Sequence, residues 1–272
     1  MTTRDLSQIL ATSQDTKLLV GAAAQLAASA ERDDHELLLR WLPTESFLSR
    51  VHTADDYNGP RLRLRLRRAL EALRDNRSPV AHESILRLVR SETFTAVGSR
   101  VEMLLEATVS VRPAPPDLVA FWDTYSQPED GFTPITIMVL VDNGSAPALA
   151  LFERKVGDRA HDDAEKIAWM RADVLTHRNA APLLESCERL LAGPLPKHLK
   201  SGLVDVLFDY RPAEWFRPGS SYAPPPVSSY SPEARTVLGR IARHALAQIE
   251  LTDRQRAAIK TTMETLGAGA RG

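Results

Sequence analysis

The sequence predicts an all-α fold of stacked antiparallel helix pairs, because prolines open apolar stretches of helical period at even spacing. Six prolines recur at intervals of 36, 36, 32, 35 and 36 residues: Pro43, Pro79, Pro115, Pro147, Pro182 and Pro218. A proline in the first turn of a helix loses no backbone hydrogen bond. Such evenly spaced starts are typical of helical-hairpin repeats, in which each unit buries its apolar face against its neighbours. A non-repetitive helical domain with ordinary proline starts is the alternative.

Composition narrows the class of protein. The chain has 272 residues, of which 43% are hydrophobic and 25% charged, as in an ordinary soluble protein. A formal net charge of −1 argues against a chain-wide polyanion binder. Cys187 is the single cysteine, so no intrachain disulfide forms and a cytoplasmic location is expected. No apolar run is long enough to span a bilayer, so we expect no membrane partner, and no motif indicates a cofactor.

Helices are predicted in order along the chain from periodicity and caps. The predicted segments are 3–11, 14–30, 34–41, 43–51, 61–76, 79–90, 95–109, 116–125, 132–142, 146–155, 161–176, 181–192, 196–209, 233–249 and 252–266. They group into a helical repeat domain over 1–210 and a C-terminal hairpin over 233–266 that packs on the repeats. Between these lies an arm rich in Pro, Ser and aromatic residues, 211–232, and the tail 267–272 is expected to be loose.

The segment 135–156 permits two interpretations. Its two apolar runs flank Asn143-Gly144, a strong signal for a β-hairpin, and ITIMVLV is rich in β-branched residues. Gly144 is equally well placed to end a helix, and Ser145-Ala146-Pro147 is a helix start at the repeat interval. The helical interpretation is preferred, and the hairpin stays open.

The units resemble HEAT repeats, the two-helix repeats of α-solenoids. The run Arg67-Arg68-Ala69-Leu70-Glu71-Ala72-Leu73 matches the basic, small-residue and leucine pattern of the family's second helix, whereas 161–176 and 196–209 keep the helix without the pattern. The resemblance covers about 40–210. It implies a curved solenoid whose second helices line the concave surface and bind protein partners. Some members of the family are enzymes or bind nucleic acid.

The densest cluster of charge is a basic helix. Its arginines are Arg61, Arg63, Arg65, Arg67 and Arg68. They form either a solvated helix face or a patch that binds an acidic protein, a phosphate or a nucleic-acid backbone. Nearby Glu71 and Asp75 dilute the patch, which makes nucleic acid the less favoured ligand.

Two tryptophans and one further arginine are candidates for binding. Trp122 and Trp169 belong to the core, or are binding hot spots if they are exposed in a groove. Arg171 and His177 resemble the Arg-x-His pair of helical ribonucleases, but the preferred explanation is a surface arginine and a C-terminal histidine favoured by the helix dipole.

Catalytic and metal sites are the weaker alternatives. Asp142, Glu153 and Lys155 resemble the magnesium-binding set of restriction-endonuclease-like nucleases, provided that 135–156 is a hairpin. His35-Glu36 and His82-Glu83 resemble half of the di-iron set of deoxyhypusine hydroxylase, a HEAT-like solenoid, and two pairs are too few for iron. We therefore expect no metal and no catalytic residues. The sequence favours a scaffold that binds a protein partner, with a metal-dependent nuclease or a nucleic-acid-backbone binder as alternatives.

Overall fold

The computed structural model describes residues 2–51, 60–209 and 226–268. Within these ranges the regular secondary structure is helical and no strand occurs, so the all-α prediction is confirmed. The chain divides into two compact units, Met1–Tyr125 and Ser126–Gly272. Most of the predicted arm, 210–225, lies outside the described residues, as do Pro218 and the last four residues of the tail.

The first unit consists of nine helical segments within its described ranges. They are α1 (Thr3–Thr12), α2 (Thr16–Ala27), α3 (Arg32–Trp41), α4 (Glu45–Val51), α5 (Pro60–Asn76), α6 (Pro79–Val89), α7 (Glu92–Thr95), α8 (Gly98–Thr108) and α9 (Pro116–Thr124). Its core is rich in leucine, and α5 buries Leu66, Leu70 and Leu73 as its period of apolar residues requires.

The second unit begins with a 3₁₀ turn at Pro128–Asp130. Its helices are α10 (Thr133–Asn143), α11 (Ala146–Gly157), α12 (Asp163–Trp169), α13 (Leu175–His177), α14 (Ala181–Ala192), α15 (Lys197–Phe208), α16 (Pro232–Gln248) and α17 (Asp253–Ala268). A π-helical stretch, Met170–Val174, joins α12 to α13, and a 3₁₀ turn at Val227–Ser229 precedes α16.

Several of the evenly spaced prolines begin helices as predicted. Pro79 is the first residue of α6, behind the cap Ser78, whose hydroxyl accepts the Ala81 N–H. Pro147 and Pro182 are the second residues of α11 and α14. Pro43 differs, because it lies in the turn before α4 rather than in its first turn.

The segment 135–156 is helical, and the hairpin alternative is wrong. Gly144 ends α10 with a left-handed backbone, φ 64°, and its N–H donates to Leu140 O at 3.1 Å. The buried Asn143 side chain accepts hydrogen bonds from the N–H and hydroxyl of Ser145, which hold the turn into α11. Glycine tolerates this backbone region without a steric penalty, so a tight connection between two helices forms.

Helices within each unit pack on one another in series. In the first unit, α2 packs on α5 and α5 on α8, while α3 packs on α6 and α6 on α9. In the second unit, α11, α14 and α16 pack in the same way, and we call them row A. Row B of that unit consists of α12, α15 and α17, together with the π-helical stretch, which packs on α10 and α15.

Candidate functional site

The π-helical stretch Met170–Val174 interrupts an otherwise continuous helix from Asp163 to His177. Met170 and Val174 are buried in the core, whereas Asp173 is half-buried. A π-helical turn widens the helix and changes the direction of the side chains beyond it, and such turns frequently occur at functional sites. The stretch packs on α10, which brings Asp173 and His177 towards Asp142.

Asp142, Asp173 and His177 form a group that we call the acid–histidine cluster. His177 Nε2 lies 2.9 Å from Asp142 Oδ1, and both side chains are partly exposed. On the other side of the ring, His177 Nδ1 lies 3.1 Å from the Asp173 carbonyl oxygen and 2.9 Å from Thr176 Oγ1. Both ring nitrogens therefore face oxygen atoms, an arrangement that suits the doubly protonated imidazolium.

The cluster shifts the acidity of two of its members. Pairing with the Asp142 carboxylate raises the pKa of His177 against the opposing effect of burial. Burial, followed by repulsion from Asp142, raises the pKa of Asp173 from 3.8 to about 7, although His177 acts in the opposite direction. The cluster thus holds a proton near neutral pH, which unperturbed aspartates do not.

The arrangement is better suited to holding charge than to activating a nucleophile. Both nitrogens of His177 have partners, so neither is available to take a proton from a reacting group. The Thr176 hydroxyl has two main-chain acceptors, the carbonyl oxygens of Asp173 at 3.0 Å and of Ala172 at 3.2 Å. Cys187 is elsewhere and fully buried, and burial raises the pKa of its thiol to about 12, which leaves it unreactive.

The basic helix predicted as a binding patch is α5. The side chains of Arg61, Arg63 and Arg65 lie outside the described residues. Arg68 is exposed, and Arg67 pairs with Glu71 at 3.0 Å and with Glu106 of α8 at 3.2 Å. Arg67 therefore already has intramolecular anionic partners.

The two tryptophans are buried, which corrects the hypothesis that they form binding hot spots. Trp122 is 0% exposed, and its indole N–H donates to Thr108 Oγ1 at 2.8 Å. Trp169 is 5% exposed, and its ring makes a T-shaped contact with the His161 ring, with the centroids 5.0 Å apart. Both side chains are buried, where large aromatic rings stabilise packing. Arg171 is half-buried, and burial lowers its pKa while Asp205 opposes that effect.

The hypothetical nuclease set does not lie on strands, because α10 and α11 carry all three residues. Arg189 holds Glu153 through both of its carboxylate oxygens, at 2.7–3.2 Å, and Lys155 is buried. No group of three or more His, Cys, Asp and Glu side chains that could hold a metal ion occurs in the described part of the chain.

Three side chains of the two His-Glu pairs, His35, Glu36 and Glu83, contact the facing helix and hold α3 against α6. His35 is buried, with Nδ1 2.8 Å from Ser84 Oγ and Nε2 2.8 Å from Ser29 O. Glu36 pairs with Arg87, and Glu83 pairs with Arg32. The carboxylates therefore pair with arginines rather than converging with the imidazoles.

Sequence reasoning named Asp142 and His177 in two separate hypotheses, and it did not name Asp173. The structure brings the three together across α10, the π-helical stretch and α13. The spacing contained a signal, since Asp142 and His177 are 35 residues apart, close to the interval between the prolines. In the helical repeats that the sequence predicts, side chains one repeat apart would occupy neighbouring helices.

Comparisons with known proteins found no match: no family model, no curated protein and no solved structure is similar to this chain. Among the helices that the structure describes, none is long and apolar enough to cross a membrane.

Proposed function

We propose that the protein is a non-catalytic cytoplasmic scaffold that binds a protein partner along stacked, HEAT-like helix pairs. The observation that carries the proposal is the series of arginine–carboxylate pairs between helices that pack in series. The pairs are Arg32–Glu83 and Arg87–Glu36 between α3 and α6, Arg90–Asp117 between α6 and α9, Arg67–Glu106 between α5 and α8, Arg189–Glu153 between α11 and α14, and Arg240–Glu188 between α14 and α16.

These pairs are partly exposed, so each stabilises the fold by only about 0–1 kcal/mol. Their regular position supports a role in alignment, because a bidentate guanidinium fixes how one helix is oriented against the next. Arg240 contacts both carboxylate oxygens of Glu188, at 2.9 and 2.7 Å, in that manner. Aligned helices present continuous surfaces of side chains, which repeat proteins use to bind their partners.

The chemistry of the reactive groups also supports binding over catalysis. The carboxylate of Glu153 is held by Arg189, the two nitrogens of His177 face oxygen atoms, and the Cys187 thiol is buried. A catalytic acid, base or nucleophile must instead reach a substrate in a cleft.

Site-specific photo-cross-linking in the native cell tests the scaffold. A photoreactive residue is placed at exposed positions of row B, Ala168 and Lys260, and of row A, Glu185 and Ala247. We expect one row to give a discrete adduct with one protein. If neither row gives a discrete adduct, the proposal is contradicted. It is also contradicted if both rows give the same mixture of adducts with many proteins.

A nuclease assay tests the catalytic alternative. The protein is incubated with single- and double-stranded DNA and RNA together with magnesium or manganese, and the nucleic acids are expected to stay intact. Cleavage that Glu153→Ala abolishes and Glu264→Ala leaves unchanged would replace the scaffold with the nuclease. Glu264 is a suitable control because it is exposed on α17.

A further inference from the structure

A groove with a volume of about 590 Å³ runs between α16 and α17 of the second unit. One wall belongs to α16 and carries Arg235 and Arg243, while the other belongs to α17 and carries Met263 and Leu266. Among the described residues, no carboxylate lines the groove. The groove therefore has a cationic side and an apolar side. It is separate from the acid–histidine cluster, none of whose residues lines it.

The two arginines lie on one wall and are eight residues apart, which separates them by about 12 Å along the helix. Arg235 donates from Nη2 to the Ser228 carbonyl oxygen at 2.6 Å, which holds its guanidinium in place. Arg243 is exposed and forms no hydrogen bond or ion pair with a residue in the described ranges. A guanidinium has five N–H donors, so Arg243 can hold a carboxylate through two of them.

The protein's own carboxylates do not balance these cations within the groove. The nearest in sequence are Glu233 and Glu264, and neither lines it. Glu233 accepts hydrogen bonds from its own N–H and from the Ser231 hydroxyl at the start of α16. The stretches of sequence that flank the helix pair, 210–225 and 269–272, contain three arginines and one glutamate, so their charge does not suit the cationic wall. Charge therefore favours an acidic ligand from another molecule.

Gly239 forms the floor of the groove. It lies four residues from each arginine, on the same face of α16. A Cβ atom at this position would lie 3.8 Å from Arg243 Nη1 and 4.0 Å from Leu266 Cδ1, one atom from each wall. The absence of a side chain here keeps the space between the cationic and the apolar wall open.

We propose that this groove binds a short extended segment of a protein partner, in which acidic and apolar residues alternate. Side chains of an extended chain point alternately to opposite sides, so the acidic ones face Arg235 and Arg243 while the apolar ones face α17. The first and fifth residues of such a segment point to the same side and are about 13 Å apart, which matches the spacing of the arginines. The proposal rests on the scaffold function and names the chemistry of the partner.

Methionine methyl resonances followed by NMR test the groove in the full chain. Met263 is one of five methionines, and Met103, buried in the first unit, is the internal control. The acetylated and amidated peptide Glu-Leu-Glu-Leu-Glu is compared with Glu-Glu-Glu-Leu-Leu, which has the same composition and charge in another order. We expect the alternating peptide to shift the Met263 resonance saturably, to leave Met103 unchanged, and to bind about tenfold more tightly. Equal affinity of the two peptides, or no saturation by the alternating one, overturns the proposal.

Four variants establish where the alternating peptide binds. Arg243→Gln should weaken binding about tenfold, the effect of losing one charge-assisted hydrogen bond. Arg256→Gln, at an exposed arginine of α17 outside the groove, should leave affinity unchanged. Gly239→Leu should abolish binding by filling the floor, whereas Gly239→Ala should keep most of it. Both changes should leave the melting temperature equal or higher, because leucine and alanine favour a helix over glycine. If wild type, Arg243→Gln and Gly239→Leu bind equally, the peptide binds elsewhere and the proposal is overturned.

The groove and the scaffold are tested separately. If photo-cross-linking gives a discrete adduct but the alternating peptide does not bind, the scaffold is supported and the groove proposal is wrong. If the peptide binds as expected but neither row gives a discrete adduct, the groove is supported as a peptide site and the scaffold is contradicted.

Discussion

His177 in α13 and Asp142 near the end of α10 form an ion pair, with Nε2 and Oδ1 2.9 Å apart. The pair holds the C-terminal end of the π-helical stretch against α10, and it places a positive charge beside the half-buried Asp173. The pKa of His177 and the pKa of Asp173 are therefore both raised in part by the Asp142 carboxylate.

The stability of the fold should depend on pH through Asp173. Because its folded-state pKa is raised to about 7, the folded protein keeps a proton between pH 3.8 and about 7 that the unfolded chain has released. Stability therefore falls as pH rises through that window. Asp173→Asn should therefore stabilise the protein more at pH 8 than at pH 5, by about 2 kcal/mol, and should have its smallest effect below pH 3.8, where Asp173 is protonated in both states.

Urea unfolding of wild type and Asp173→Asn at the two pH values measures this difference. Asp253→Asn, at an exposed aspartate of α17, is the control and should show no such pH-dependent difference. An equal effect of Asp173→Asn at both pH values would contradict a role for the ionisation of Asp173.

The titration of His177 should depend on Asp142. Since pairing with Asp142 raises the pKa of His177, Asp142→Asn should return that pKa towards 6.5. The raised pKa contributes stability that is present below pH 6.5 and lost as pH rises through the folded-state value, so the variant should lose stability mainly at low pH. NMR titration of the histidine rings measures the shift. If the pKa of His177 is unchanged in Asp142→Asn, the pair with Asp142 does not raise it. The same conclusion follows if the control Glu264→Gln lowers that pKa as much as Asp142→Asn does.

Gln255 should be a strong determinant of the packing of α17 on α15. Its buried amide donates to Ser201 Oγ at 2.9 Å and to Asp205 Oδ1 at 2.8 Å, while its carbonyl oxygen accepts the Thr252 N–H. Gln255→Ala should destabilise the protein by about 1–3 kcal/mol, because polar partners lose their hydrogen bonds. Thermal unfolding compares it with Gln248→Ala, an exposed control on α16, which should be nearly neutral. Equal losses in both would show that the network adds no stability.

Two glycines should respond in opposite directions to alanine. Gly144 has φ 64°, so Gly144→Ala should destabilise the protein by about 1 kcal/mol. Gly21 lies inside α2, and the Cβ atom of an alanine at this position would occupy open space. Gly21→Ala should therefore stabilise the protein by up to about 1 kcal/mol. Chemical denaturation of both variants measures the signs. Stabilisation by Gly144→Ala would mean that the turn between α10 and α11 does not need a left-handed residue.

The sequence by itself determined much of the secondary structure. Helix starts such as Ser78-Pro79 and Ser231-Pro232 are local signals, since a cap hydroxyl accepts an N–H from the first turn of the same helix. Leucines at helical spacing, Leu66, Leu70 and Leu73, likewise mark the face of α5 that is buried. At Asn143-Gly144 the local signals for a hairpin and for a helix end were both present, and the helical packing of α10 on α11 decided between them.

Only the tertiary structure decided the π-helical stretch and the acid–histidine cluster. Periodicity predicted one helix over 161–176 and contained no signal for the wider turn, which forms where the segment packs on α10 and α15. The pairing of Asp142 with His177 and the burial of His161 depend on side chains from distant positions along the chain. Caps and periodicity act within a few residues, whereas charge pairing and desolvation depend on which helices meet in space.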